Sequence, residues 1–173
     1  TISKAWNDNG DVYERKAVTV RIFRKTALAE ALGSRTGEVS LDSLDSLPYV
    51  DHTFSENNWW TLVSVPTLNE KLGGSSAGDY LVLEYLVGSA QKDGAQSAVY
   101  SAEALRNACS GSTNSVTGTV YNSSRQYTAT AVTGGNNRVF RTNTRAGQVT
   151  FSVTKAWKDE GEGRPGCIQF QVY

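Results

Sequence analysis

Lys4, Glu84 and Asn143 stand where their surroundings are apolar or strand-like. Lys4 shares a strand face with Ile2 and Trp6 by the two-residue period. Glu84 is the single carboxylate inside Leu81-Val82-Leu83-Glu84-Tyr85-Leu86-Val87, the most apolar run of the chain. Asn143 lies near the end of the strand-like run Arg138-Val139-Phe140-Arg141-Thr142-Asn143-Thr144. A lone ammonium or carboxylate taken out of water is costly, so each needs a partner or must become neutral. Desolvation pushes a lysine pKa down and a carboxylate pKa up. A neutral lysine amine beside a carboxamide is a nucleophile beside an acyl group. A protonated glutamic acid there can hydrogen-bond the carbonyl and shuttle protons. The product would be an amide between Lys4 and Asn143 with ammonia released, formed once within the chain and without a cofactor. The residues leave alternatives open. Lys4 can bury its stem and carry its ammonium to solvent. Glu84 can lie on an exposed strand face, and Asn136 or Asn137 can serve in place of Asn143.

The elements that must position these residues are short strands. Residues 2–6 read as the first, and a polar loop covers 7–14. Residues 17–24 alternate, with Val18, Val20 and Ile22 inward and Thr19 and Arg21 outward. Residues 26–32 carry helix formers stopped by Gly33. Residues 36–50 read as an irregular loop or one short strand. Asn57 to Pro66 reads as a strand ended by proline, and 67–79 as a Gly/Ser-rich connection. Asp79 to Val87 is the apolar strand. Residues 88–115 read as a polar insertion with a helical piece at 102–108, and 116–121 with 125–132 as a hairpin. A turn at 134–137 precedes the last strand. Short strands with frequent turn signals predict a sandwich or barrel, not βαβ units.

A repeat sets the boundaries. Ile2-Ser3-Lys4-Ala5-Trp6 returns as Val153-Thr154-Lys155-Ala156-Trp157, each followed by a polar loop and a second β-like run. The expected division is a β-sandwich domain over 1–146 and the start of a second module over 147–173, with Lys155 in the place of Lys4. Two strand-like runs cannot bury a core alone. The expectation is that the chain is cut from a longer tandem protein; the alternatives are packing of this piece on the first domain or pairing with a neighbouring molecule.

Composition narrows the function classes. Seventeen basic and 17 acidic residues balance to zero, with no basic stripe for nucleic acid and no polybasic cluster for a lipid surface. No apolar run approaches a membrane span. One histidine, His52, and two cysteines, Cys109 and Cys167, show no metal spacing. The cysteines are either two thiols or one disulfide tying the C-terminal piece to the domain. No catalytic triad, nucleotide loop or metal set argues for an enzyme. Trp6, Trp59, Trp60 and Trp157 read as core or edge packing. Asn7-Asp8-Asn9-Gly10-Asp11 reads as a solvated turn, since it lacks the distal glutamate of a calcium loop.

The framework resembles a Cna protein B-type domain, the repeated stalk module of Gram-positive surface adhesins and pilins. The residues that carry the resemblance are Ser3-Lys4-Ala5-Trp6-Asn7-Asp8 with Val18-Thr19-Val20, Asn58-Trp59 through Val65-Pro66, Tyr80 to Glu84, and Thr142-Asn143-Thr144. The second copy adds Val153-Thr154-Lys155-Ala156-Trp157 and Arg164-Pro165-Gly166-Cys167-Ile168-Gln169-Phe170-Gln171-Val172-Tyr173. The resemblance implies an immunoglobulin-like or prealbumin-like all-β sandwich on the cell surface, anchored through a C-terminal region beyond this chain. It implies a Lys4–Asn143 cross-link assisted by Glu84, with adjacent modules of the same protein as partners. Segments 26–56 and 88–133 are longer and more polar than such a module needs. With Tyr49, Tyr121 and Tyr127 they provide the alternative expectation, an adhesin domain that binds a host matrix or glycan.

Overall fold

β-Branched and aromatic residues at alternating positions build the strands that carry the site. The computed structural model describes residues 1–8, 15–54, 58–88, 97–111, 115–122, 125–134 and 137–146. Lys155, Trp157, Cys167 and Asn136 lie outside the described residues, as does the whole 147–173 module. Among the described residues ten strands form two sheets, with three short helices, so the chain is predominantly β. The strands are β1 (Ile2–Asn7), β2 (Val18–Arg24), β3 (Glu38–Ser40), β4 (Tyr49–Phe54), β5 (Trp60–Thr61), β6 (Tyr80–Val87), β7 (Val99–Ser101), β8 (Thr117–Asn122), β9 (Arg125–Gly134) and β10 (Arg138–Arg145). The helices are α1 (Lys25–Leu32), α2 (Val65–Leu72) and α3 (Ala102–Ser110).

The larger sheet runs β3-β7-β8-β9-β10-β1-β5 and the smaller β4-β2-β6. First and last strands are neighbours: β1 lies parallel to β10, with Lys4 opposite Arg141 and Trp6 opposite Asn143. Their inner faces share one apolar cluster, with Val18, Val20, Ile22 and Val82 from the small sheet and Ile2, Val120, Ala129 and Val139 from the large one. Each such side chain contributes about 1.5–3 kcal/mol on burial. This is the two-layer arrangement of a β-sandwich.

Strand β6 is an edge strand, yet its open side is not left bare. Tyr100 Oη donates to Glu84 O (2.9 Å), Arg141 Nη1 to Val82 O (3.2 Å) and Ala98 N to Tyr85 O (2.7 Å). Such capping removes the exposed carbonyl row that edges otherwise present. The β2–β6 register slips between Thr19 and Val20, so Tyr85 is an extra residue on β6. The bulge keeps both Glu84 and Val87 on the inner face, opposite Val20 and Val18.

Several expectations are corrected. The Trp-rich run pairs only at Trp60–Thr61. Pro66 does not end a strand; it falls in the first turn of α2, where its missing N–H leaves no hydrogen bond unmade, and Ser64 caps that helix through Thr67 N. Residues 67–79 are thus partly helical. Strand β4 was not expected, because Tyr49–Phe54 carries Asp51 and His52 and does not read as an apolar run. The expected insertion at 88–115 contributes β7 and α3, and buries Tyr100, Ala102, Leu105 and Ala108 in the core. Tyr127 is fully buried and is no surface aromatic. Asp8 is buried and held by Arg15 through two bonds of 2.9 and 2.7 Å, so it is not a solvated turn residue.

Arg21 keeps its place on the outer face of β2 but is buried there. Its guanidinium bonds Asp51 and Asp45 and lies 3.6 and 3.7 Å from the rings of Tyr49 and Tyr85. Two carboxylates and two aromatic faces compensate its lost hydration. The hairpin, helix α1, the apolar strand and the closing strand stand as expected.

Gly118 lies where a β-carbon would come within 2.3 Å of the Tyr100 ring. Gly118→Ala is therefore expected to destabilise the domain by about 2 kcal/mol or more. Urea denaturation checks this, and an unchanged midpoint would show that the Tyr100 ring yields freely.

Candidate functional site

The site lies between the sheets. Strand β1 presents Lys4, β10 presents Asn143 and β6 presents Glu84, all three buried. The side chains of Lys4 and Glu84 have no exposed surface. Lys4 Nζ is 3.8 Å from Glu84 Oε2, and Asn143 Nδ2 donates to Glu84 Oε1 at 2.5 Å. One carboxylate thus spans the lysine amine and the carboxamide nitrogen. Lys4 Nζ also donates to Ala5 O (2.8 Å) and sits 4.3 Å from the Trp6 ring centroid. Trp6 packs edge-on against Trp59 and Tyr127, which closes that side of the site.

This geometry decides among the alternatives left open by the residues. Lys4 does not reach solvent and Glu84 does not lie on an exposed face. Asn137 sits in a turn ahead of β10 with φ of 56°, its carbonyl accepting from the Thr1 amine. The hydrogen bond between Glu84 and Asn143 differs from expectation. The carboxamide N–H faces the glutamate, while Asn143 Oδ1 has no hydrogen-bond partner. Glu84 therefore touches the nitrogen that would leave, which is where a proton must arrive.

Burial pushes Lys4 down from its ordinary 10.5 to about 8, against the opposing pull of Glu84. About a tenth of such an amine is uncharged at pH 7. Arg141 adds to this downward push through its own positive charge. Arg141 is fully buried, and its Nη2 donates to Tyr100 Oη at 2.9 Å. Burial in turn pushes the Tyr100 phenol up to about 12, so it remains a neutral donor. Sequence reasoning did not single out Arg141 or Tyr100. Arg141 was findable, because placing Asn143 inward puts Arg141 and Val139 on the same face by the period of two.

Other candidates lie elsewhere. Cys109 is half-buried on α3, with its thiol pushed up to about 11 by burial, and its suggested partner Cys167 is outside the described residues. Among the described residues no three His, Cys, Asp or Glu side chains group as a metal site requires. Also among them, no helix is long and apolar enough to cross a membrane. Comparison of the chain with family models, with curated proteins and with solved structures finds no match in any of the three.

The depressed lysine has a measurable linkage consequence in a chain that cannot form the bond, such as Asn143→Ala. Between about 8 and 10.5 the unfolded state holds more protons than the folded one, so the Lys4 contribution to stability rises with pH across that window. The stability of Asn143→Ala should therefore rise by at most about 3 kcal/mol from this group as pH climbs through the window, and adding Lys4→Met should remove that rise, whatever its effect at pH 7 from leaving Glu84 without its cation. Paired urea titrations of the two variants isolate this contribution; a difference between them that does not vary with pH would refute the depressed amine.

Proposed function

We propose that this domain is a structural stalk module of a bacterial cell-surface adhesin or pilus, stiffened by a self-formed Lys4–Asn143 amide. The observation that carries the reading is the buried Glu84 carboxylate, lodged between the Lys4 amine and the Asn143 carboxamide nitrogen. The likeness to a Cna protein B-type sandwich, immunoglobulin-like or prealbumin-like in connectivity, supports it through the same three residues. On this reading the molecule is not a turnover enzyme and needs no cofactor. Its partners are adjacent modules, and it lies outside the cell.

The chemistry follows from the contacts. Glu84 takes a proton from the Lys4 ammonium, and the freed amine attacks Asn143 Cγ. The Nζ–Cγ bond forms and the Cγ–Nδ2 bond breaks. The two protons that Lys4 sheds pass by way of Glu84 to the departing nitrogen, which leaves as ammonium. Glu84 ends as the carboxylate it was. Burial aids each step, since a water-free site makes the amine easier to deprotonate and keeps its partners fixed.

The mechanical consequence follows from the strand order. Because β1 and β10 lie side by side and parallel, tension on the domain's two ends shears their shared ladder. An amide from Lys4 to Asn143 would take that load covalently and shield nearly all the chain between. Of the segments behind the ligand-binding alternative, β3, β7 and β8 belong to the large sheet, β4 to the small one, and Leu28, Leu41, Tyr100 and Leu105 to the core.

Intact mass of the purified domain should be one ammonia below the sequence mass, with Lys4→Ala and Glu84→Gln both at full mass. The cross-link closes almost the whole domain and should contribute about 4–5 kcal/mol in the chain-entropy picture. A wild-type chain at full sequence mass would end this proposal.

A further inference from the structure

The site holds more positive charge than the cross-link needs. Arg141 heads the fully buried side chains by volume, yet among the described residues no carboxylate lies within ion-pair distance of it. Its hydrogen bonds go to neutral acceptors, Val82 O and Tyr100 Oη, and its Nε has no partner. Capping a strand carbonyl does not require a cation; a neutral donor would do so at less desolvation cost. The position opposite Lys4 in the β1–β10 ladder makes the charge consequential.

We infer that Arg141 is a positioning residue for amide formation, its guanidinium driving the proton off Lys4 and leaving the finished cross-link balanced in charge. The inference rests on the reading of Lys4 and Asn143 as cross-linking partners. Before reaction the space between the sheets holds two buried cations, Lys4 and Arg141, and the carboxylate of Glu84, which pairs with Lys4 alone. The excess positive charge is relieved only when the lysine's proton leaves the site, to solvent or with the departing nitrogen, since transfer to Glu84 alone leaves the net charge unchanged. After reaction Lys4 is a neutral amide, its charge has left as ammonium, and Arg141 stands against Glu84 alone. The other groups that face Lys4 do not upset this count. Asp8, beyond the end of β1, is bound by Arg15 and pulls on Lys4 in the opposite direction from Arg141, more weakly than Arg141 pushes. Tyr100 on β7 and Tyr127 on β9 bring phenols, and Asn143 on β10 an uncharged amide. Burial acts on Lys4 in the same direction as Arg141.

The test is the pH profile of bond formation. Chain recovered unfolded from inclusion bodies is diluted into buffers from about pH 5 to about pH 10, quenched in acid at intervals and weighed intact for ammonia loss. Removing the positive charge moves proton loss from Lys4 to higher pH. Arg141→Gln should therefore shift the rate midpoint upward by about one unit and slow the reaction about tenfold at pH 7, with full yield regained in alkali. Arg141→Lys, which keeps a cation, should retain a midpoint near the wild type. A folded Arg141→Gln chain with an unmoved midpoint, or with yield lowered equally at all pH, overturns the inference while the cross-link stands. Should Arg141→Gln fail to fold, Arg141→Lys decides, and a folded chain of that kind with a raised midpoint or no bond overturns it. If the wild-type chain keeps its ammonia at every pH, the cross-link reading itself falls, and the role of Arg141 with it.

Discussion

The structure depends on the exclusion of water from a small group of charges between two sheets. Lys4, Glu84 and Arg141 sit in a layer otherwise filled by Val20, Val82, Ala129 and Val139. A charge there loses hydration worth several kcal/mol even after relaxation, and recovers it only through partners held in good geometry. Glu84 finds two partners, the Lys4 amine and the Asn143 amide. The same exclusion that makes the arrangement costly lowers the basicity of the Lys4 amine and raises the share of it that is uncharged at neutral pH. Stability and reactivity here are two effects of one dielectric boundary.

Two buried arginines show how differently this fold treats one residue type. Arg21 lies outside the sandwich, clasped by Asp45 and Asp51 and stacked between Tyr49 and Tyr85. Its charge is fully compensated, and its effect is to pin β2 and β4 to the bulged part of β6. Arg141 lies inside, with neutral partners and an unpaired Nε. A compensated cation is a structural fastening, whereas an uncompensated one imposes a field on its neighbours. Lys4 is the neighbour in position to respond.

Strand order brings Lys4 and Asn143, far apart along the chain, onto neighbouring strands, which on the proposed reading is where force would act. A bond between residues near the two ends of a domain is useful only if the topology brings those ends together. The parallel pairing of β1 with β10 does so, and β5 on the other flank of β1 fixes it from the second side. The bulge at Tyr85 then holds Glu84 inward without turning Val87 out to solvent. Register, bulge and strand order are each needed, because a slip of one residue would turn Lys4 or Asn143 to the opposite face.

Local pattern was sufficient wherever a single strand or hairpin explains itself. Period two placed Lys4 with Ile2 and Trp6, marked Glu84 as a lone carboxylate in an apolar run, and delineated the β8–β9 hairpin and the closing strand. It failed where a residue's environment comes from distant chain. Strand β4 is polar because Arg21 needs Asp51, a pairing invisible along the sequence. Pro66 marks a helix start because the chain turns away from β5, and the segment holding Tyr100 is core because it joins β3 to β8 within the large sheet. Tyr127 and Asp8 are buried by partners on other elements in the same way. Residue types and their period therefore placed an amine, a carboxylate and a carboxamide on strand-like runs and left open whether they are buried. The tertiary structure alone decided that one carboxylate lies between the other two groups and that a second cation sits beside them, because burial and charge are properties of what surrounds a side chain.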